Sequence, residues 1–161
     1  MYLKGSCILF VYGEGGHAAQ MNRLAPFIFD KVGDKIFLSL SDSKLHPSWS
    51  SKHFVSGEFR SKSRHSDWLF NKGPIEILKS LLEIRKSYKV VAVISTGPGI
   101  SLISALFFKV FGAKIIHVET WSRFTTRSFT GKLMYFIADK FYVQHRSLLT
   151  LYPNAVYSGV L

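Results

Sequence analysis

The run Ile8 to Tyr12 is apolar and about as long as an ordinary buried strand. It empties into Gly13-Glu14-Gly15-Gly16-His17, after which Met21, Leu24, Ala25 and Ile28 recur at helical spacing. A strand that becomes a helix within a few glycine-dense residues opens a β-α-β unit. Gly13, Gly15 and Gly16 let the backbone turn sharply and bare its N–H groups. The helix that follows adds the positive end of its dipole, so the turn suits a phosphate or another anion. His17 stands at the mouth of that turn with a titratable ring. Gly13-x-Gly15-x-x-Ala18 also satisfies the loose dinucleotide fingerprint. No Gly-Lys-Ser/Thr follows, so this is not a P-loop. The same residues equally serve a plain tight turn, with His17 merely opening the helix.

The rest of the chain keeps the strand–helix rhythm. Lys35–Leu40 reads as a second strand, Ser41–Ser51 as a serine-rich loop with Pro47, and His53–Ser56 as a weaker third strand. In Phe59–His65 bases alternate with serines, and an extended backbone points Arg60, Lys62 and Arg64 the same way. Such a run is either a solvated charged face or part of a phosphate or lipid-headgroup surface. Pro74 suits the first position of a helix that reaches about Ser87. Val90–Ile94 is a continuous β-branched run, as in a central parallel strand covered on both faces. It enters a second glycine turn, Ser95-Thr96-Gly97-Pro98-Gly99, and then a helix over Ile100–Phe111. Lys114–Val118 is the next strand and ends at Glu119, which is placed to act as a base, to bind a hydroxyl, or to pair with Arg123 at the surface. Phe129–Ala138 reads as a helix, Lys140–Val143 as a short edge strand, and Leu148–Tyr152 as a helical turn closed by Pro153. Alternating strands and helices imply an α/β, Rossmann-like parallel sheet with both glycine turns at the carboxyl ends of strands, where ligands collect.

Composition narrows the partners. The 161 residues make one domain, 1–161, and the formal charge of +11 asks for an anionic one: nucleic acid, an anionic membrane surface or a phosphorylated substrate. The single cysteine, Cys7, lies in the first strand and reads as a buried reduced thiol. Scattered histidines show no metal spacing, and there is no Gly-x-Ser-x-Gly elbow. Met1–Tyr12 lacks the pattern of a signal peptide. The apolar stretch Ile100–Phe108, cut by Lys109, falls short of the roughly 20 residues a bilayer span needs, so membrane contact is expected to be peripheral.

Five spaced motifs carry a resemblance: Gly15-Gly16-His17 with Gln20-Met21; Thr96-Gly97-Pro98-Gly99; Val118-Glu119-Thr120 with Arg123; Gly131-Lys132 to Ala138-Asp139; and Val143-Gln144-His145 to Tyr152-Pro153 with Tyr157-Ser158-Gly159. Together, in order and over nearly the whole chain, they resemble the Alg-type subunit that binds acceptor and membrane in the two-part UDP-GlcNAc transferase of N-glycan assembly. Bacterial counterparts, the PssD and capsule or exopolysaccharide proteins, look closer still. The resemblance implies the N-terminal half of a GT-B glycosyltransferase, similar to that of MurG. A separate small partner would bind most of the UDP-sugar, and no further cofactor or metal is implied. The acceptor is then a sugar on a polyprenyl diphosphate, met at the cytoplasmic face of the cytoplasmic membrane. His17 and Glu119 become the candidate catalytic residues. Gly13, Gly15, Gly16, Gly97, Gly99 and Arg123 become candidates for acceptor or phosphate binding, and Arg60, Lys62 and Arg64 for the membrane and lipid diphosphate.

The chain departs from the family pattern at Glu14, where a small residue is usual, and at His145, which replaces a tryptophan. It also lacks the N-terminal membrane helix of the eukaryotic members. Two other readings compete. A small nicotinamide-nucleotide-binding protein is supported by the fingerprint and by Asp42, placed where a ribose-binding acid sits. A nucleic-acid-binding module rests on charge alone and lacks a recognition helix or an aromatic RNA-binding signature, so no nucleic-acid partner is expected.

Overall fold

The computed structural model describes residues 4–57 and 73–161, so Arg60, Lys62 and Arg64 lie outside the described residues. The elements, in order, are β1 (Lys4–Tyr12), α1 (Gly16–Phe29), β2 (Ile36–Ser41), β3 (Lys52–Val55), α2 (Gly73–Ser87), β4 (Tyr88–Ser95), α3 (Gly99–Val110), β5 (Lys114–Val118), α4 (Phe129–Ile137), β6 (Lys140–Val143), a 3-10 turn (Arg146–Thr150) and β7 (Val156–Tyr157). The strands form one seven-stranded sheet in the order β3-β2-β1-β4-β5-β6-β7, and every pairing is parallel.

Because side chains alternate across a strand, the central strands feed two cores. Cys7, Leu9 and Val11 of β1 join Leu38, Val93 and Ile115 on one face, under Ile77, Leu81 and Ile84 of α2, Ala105 and Phe108 of α3, and Met134 of α4. Ile8, Phe10 and Tyr12 turn to the other face with Phe37 and Ile94, where Met21 and Ala25 of α1 close over them. Being covered on both sides, β1 is apolar without interruption from Cys7 to Tyr12, and all of those residues are buried. The sulfur of Cys7 sits inside, and burial pushes its thiol up to about 12, which leaves it protonated and inert.

Two details differ from the sequence reading. Lys140–Val143 is not an edge strand: β7 pairs beyond it, Tyr142 with Val156 and Val143 with Tyr157. A two-residue strand has no periodicity to read. The run Val90–Ile94 is only the middle of β4, which begins at Tyr88 directly after α2.

This topology locates the site. From β1 the chain moves outward to β2 and β3, and from β4 it moves the opposite way to β5, β6 and β7. The order reverses between β1 and β4, and a crevice opens at such a switch point beyond the carboxyl ends of the strands. The two glycine turns, 13–15 and 96–98, flank that crevice.

Candidate functional site

Two helices begin at the crevice, α1 after Gly15 and α3 after Pro98, and neither has a side-chain cap. Gly15 takes φ 71, open to L residues only at a cost, and a Cβ there would meet nothing within 4 Å. The first N–H groups of a helix have no partner within it. Two uncapped N-termini therefore leave unspent donors and partial positive charge on either side of the switch. By contrast α4 is capped: Ser128 Oγ accepts from the Gly131 N–H at 2.8 Å.

His17 bridges the two turns. Its Nδ1 lies 2.5 Å from the Thr96 carbonyl oxygen, and Thr96 Oγ1 donates back to the His17 carbonyl at 3.3 Å. A carbonyl only accepts, so Nδ1 carries the proton and the neutral ring keeps its lone pair on Nε2. Burial lowers the His17 pKa below 6.5, against the opposing pull of the Thr96 carbonyl, Asp42 and Glu119. At neutral pH the ring is an uncharged acceptor. It fits because Gly97 has no side chain: a Cβ there would lie 2.2 Å from the ring's Nδ1, and the residue's φ of +144 is itself glycine territory. Gly13 is bare for a similar reason, since a Cβ would fall 2.6 Å from Pro98 Cγ. From sequence both glycines are expected to bind phosphate; what the structure shows is that they make room for the bridge. Gly99 is the first residue of α3 and Gly16 that of α1.

Behind the bridge lies His117, buried and hydrogen-bonded through Nδ1 to Ser95 Oγ at 2.8 Å. Burial, and then the nearby His17, lower its pKa to about 3, so it stays neutral.

Glu119 is neither an exposed base nor a surface partner of Arg123. Its residue is 1% exposed, and its two oxygens accept from Ser128 Oγ at 2.8 and 3.1 Å, Tyr152 Oη at 2.7 Å and the Thr120 N–H at 3.1 Å. Gly131 closes against this cluster so tightly that a Cβ would fall 2.0 Å from Glu119 Oε2. Burial, the hydrogen bond to Glu119 and its charge together raise the Tyr152 pKa, which keeps the phenol a donor. The Glu119 carbonyl accepts from Gln144 Nε2 at 2.9 Å, and Gln144 Oε1 accepts from the Leu161 N–H at 3.1 Å. Glu119 thus pins the loop from Thr120 to Ser128, which carries Trp121 beside the crevice and also bears Arg123. Trp121 Nε1 would lie 3.9 Å from a Cβ on Gly16, and the Arg23 guanidinium sits 5.1 Å over the Trp121 ring. His145 donates through Nε2 to the Trp121 carbonyl at 2.6 Å, so the residue standing in for tryptophan holds the loop too. Arg123 is exposed, with Nη1 3.2 Å from Thr126 Oγ1.

Asp42 closes the first turn, its Oδ1 accepting from the Glu14 N–H at 2.7 Å. The nicotinamide reading places it on a ribose; in the structure its carboxylate braces the glycine turn. Tyr152, Ser128 and Thr96 were not singled out from sequence as site residues; the Tyr152 hydroxyl is invisible in a pattern that reads tyrosines as core. Among the described residues no group of histidine, cysteine and acidic side chains is arranged to hold a metal, and no helix is long and apolar enough to cross a membrane.

The model of the family described as "Oligosaccharide biosynthesis protein Alg14 like" matches residues 8–161, from the first buried strand to the end of the chain. The chain belongs to this family. Like it in sequence is the UDP-N-acetylglucosamine transferase subunit ALG14 of Rattus norvegicus, 26% identical over 179 residues that cover 94% of this chain and 81% of the rat protein. The subunit of the same name from Saccharomyces cerevisiae is 25% identical over 185 residues, covering 95% and 76%. In fold, this Alg14-like chain is similar to Acinetobacter baumannii MurG, with a TM-score of 0.61 at 15% identity over 87% of this chain and 41% of MurG. The chain thus spans about two-fifths of that enzyme, and at this identity the likeness concerns the fold alone. It bears out a Rossmann-like sheet of the GT-B type.

Proposed function

We propose that this Alg14-like chain is the acceptor-binding subunit of a two-component UDP-sugar glycosyltransferase. In this reading a separate donor-binding protein completes the cleft over the carboxyl ends of β1 and β4. The pair transfers a sugar to an acceptor on a polyprenyl diphosphate, in capsule or exopolysaccharide repeat-unit synthesis or in lipid-linked oligosaccharide synthesis. The observation that carries the reading is the His17–Thr96 bridge between two uncapped helix N-termini. It offers a neutral base and a seat for negative charge within one crevice. The names of the curated relatives, transferase subunits, agree with it.

In the proposed reaction His17 Nε2 takes the proton of the acceptor hydroxyl as that oxygen attacks the sugar's anomeric carbon and UDP leaves. The Nδ1–Thr96 bond fixes the tautomer that makes this possible and shares the positive charge the ring acquires. Gly13, Gly15, Gly16, Gly97 and Gly99 open the backbone to the acceptor diphosphate, and the exposed Arg123 adds a cation. Glu119 acts as a positioning residue through Tyr152 and Ser128. The donor is bound mainly by the partner, with no further cofactor, and the complex works peripherally at the cytoplasmic face of the cytoplasmic membrane.

The test is to co-express the chain with a candidate donor-binding subunit. The pair and each half alone are then assayed with UDP-GlcNAc, UDP-galactose and UDP-glucuronate against a lipid-diphosphate acceptor. Transfer by the pair and by neither half is the expected result. No stable pair and no transfer from any donor would sink the reading. The nicotinamide alternative, with Asp42 just after β2, predicts that NADH fluorescence responds to the protein; on the transferase reading it should not.

A further inference from the structure

The chain's two glutamines, Gln20 and Gln144, are both buried, and their amides are used differently. Gln144 employs its whole amide: Nε2 donates to the Glu119 carbonyl at 2.9 Å, and Oε1 accepts from the Leu161 N–H at 3.1 Å. Gln20 is 0% exposed, and neither its Oε1 nor its Nε2 has a hydrogen-bond partner among the described residues. A primary amide shut away unpaired destabilises the fold, because water would have bonded both of its ends. An orphan of that kind points to a use other than folding.

Helical spacing says what covers it. Gly16, Gln20 and Arg23 stand at i, i+4 and i+7, one stripe along α1. Gly16 and Arg23 are exposed, and both meet the same side chain. Trp121 Nε1 would lie 3.9 Å from a Cβ on Gly16, and the Arg23 guanidinium lies 5.1 Å over the Trp121 ring. The indole therefore spans the stripe and roofs Gln20. The Trp121 backbone is held from below, its carbonyl accepting from His145 Nε2 at 2.6 Å, and Arg23 Nη1 is tied to the Leu161 carbonyl at 3.0 Å. His17 precedes Gln20 by three residues on the same helix, which puts their Cβ atoms about 5–6 Å apart.

We propose that Gln20 is a specificity residue for the acceptor sugar, reached when the Trp121 indole turns aside as a lid. The inference rests on the transferase reading above and names what the crevice recognises. A glutamine amide presents a donor and an acceptor side by side. A sugar ring answers with two neighbouring polar substituents, either two hydroxyls or a hydroxyl beside an acetamido group. The turned indole supplies an apolar surface for the C–H face of the ring, as aromatic side chains do in small-molecule sites that hold a few placed polar groups. Bound this way, the acceptor satisfies an amide that the free protein leaves unpaired. An acceptor lacking one of the two substituents leaves it unpaired again, and is rejected for that reason. With His17 one helical turn away, the sugar that is read is also the one whose hydroxyl is deprotonated.

The experiment is saturation-transfer NMR on the full chain with methyl β-D-glucoside, methyl N-acetyl-β-D-glucosaminide and, as a control, uridine. The variants are Gln20→Met and the shorter Gln20→Leu, with Trp121→Phe to follow the indole. Wild type should bind at least one glycoside, and the one it prefers identifies the pair of substituents that is read. Both Gln20 variants should bind it about tenfold or more weakly. They should also melt about 2–4 °C higher, since no unpaired amide has to be buried. Weaker binding by a more stable protein is a result that misfolding does not give. Glycoside binding should change the tryptophan emission of wild type and leave that of Trp121→Phe unchanged. The inference is overturned if neither glycoside binds, if only uridine binds, or if the Gln20 variants bind as wild type does. It is equally overturned if both variants melt lower, which would show the amide already in use within the fold, or if wild-type emission ignores the glycoside. An assay of the assembled pair separates the two readings. A rise of about tenfold in acceptor KM for Gln20→Met, with kcat little changed, upholds both. No transfer even by wild type, with glycoside binding lost in the variants, leaves the sugar site standing while the transferase reading falls. Transfer by Gln20→Met at an unchanged KM fells the sugar site alone.

Discussion

His17 Nδ1 and the Thr96 carbonyl oxygen, 79 positions apart in the chain, lie 2.5 Å apart in space. One bond across the sheet's switch point decides which nitrogen of the ring holds the proton, and so which one is free to receive another.

If that free nitrogen is the base, His17→Ala in the assembled complex should cut transfer by about 10²- to 10⁴-fold with little change in acceptor KM. The wild-type pH profile should rise from the acid side with an apparent pKa below 6.5, because burial favours the neutral ring. Initial rates across pH 4 to 8 check both. Unchanged turnover in the variant would reduce the histidine to a helix-start residue.

His117 makes an acid-stability prediction. Its folded pKa is about 3 against 6.5 when free, so the unfolded chain takes up a proton that the folded chain refuses. Its contribution is fully present above about pH 6.5 and is lost progressively as pH falls toward 3. His17, shifted the same way, adds to the trend. Urea unfolding of wild type and His117→Asn at several pH values isolates the effect. The difference between them should shrink as pH falls through that window.

Three glycines of the site should respond differently to one methyl group. Gly131→Ala drives a Cβ to 2.0 Å from Glu119 Oε2 and Gly97→Ala to 2.2 Å from the His17 ring, whereas Gly15→Ala meets nothing and bears only its φ of +71. The first two should destabilise by about 2–4 kcal/mol, through overpacking and a displaced polar cluster. The third should cost about 1 kcal/mol. Equal midpoints in chemical denaturation would contradict the packing described for the bridge and the clamp.

The clamp itself is open to a double-mutant cycle. Glu119→Gln strips the charge from the 2.7 Å bond between them and Tyr152→Phe deletes the bond, and together they should be less damaging than their sum by about 1–3 kcal/mol. In the assembled pair, Glu119→Gln should lower transfer through a loosened Thr120–Ser128 loop and move the acid limb of the pH profile somewhat lower, because it removes a charge that holds the His17 pKa up. Loss of the limb altogether would make the carboxylate a proton carrier.

The strand–glycine–helix units were legible because each is written locally: an apolar run, glycines where φ turns positive or backbones approach, and then helical spacing. The Ile8–Gly16 and Val93–Gly99 stretches therefore announced both sides of the crevice. What sequence withheld were relations between distant positions. Glu119 reads as a surface acid at a strand end until Ser128, Gly131 and Tyr152 arrive around it from α4 and the tail. Nothing local to Asp42 announces that its carboxylate meets the Glu14 N–H. The two residues of β7 are too few to show a pattern, which left β6 read as an edge.

The bridge also gives the fold a seam. Residues 4–57 build β1 to β3 with α1, and residues 73–161 build β4 to β7 with the remaining helices, so the two portions meet along β1 and β4. His17 belongs to one portion and Thr96 to the other. Cut the backbone between Gly57 and Gly73, and the histidine left on its fragment is an ordinary imidazole, free to hold its proton on either nitrogen. The oriented imidazole exists only when both fragments reassemble, which makes recovery of transfer by complementation a direct reporter of whether the β1–β4 seam has closed.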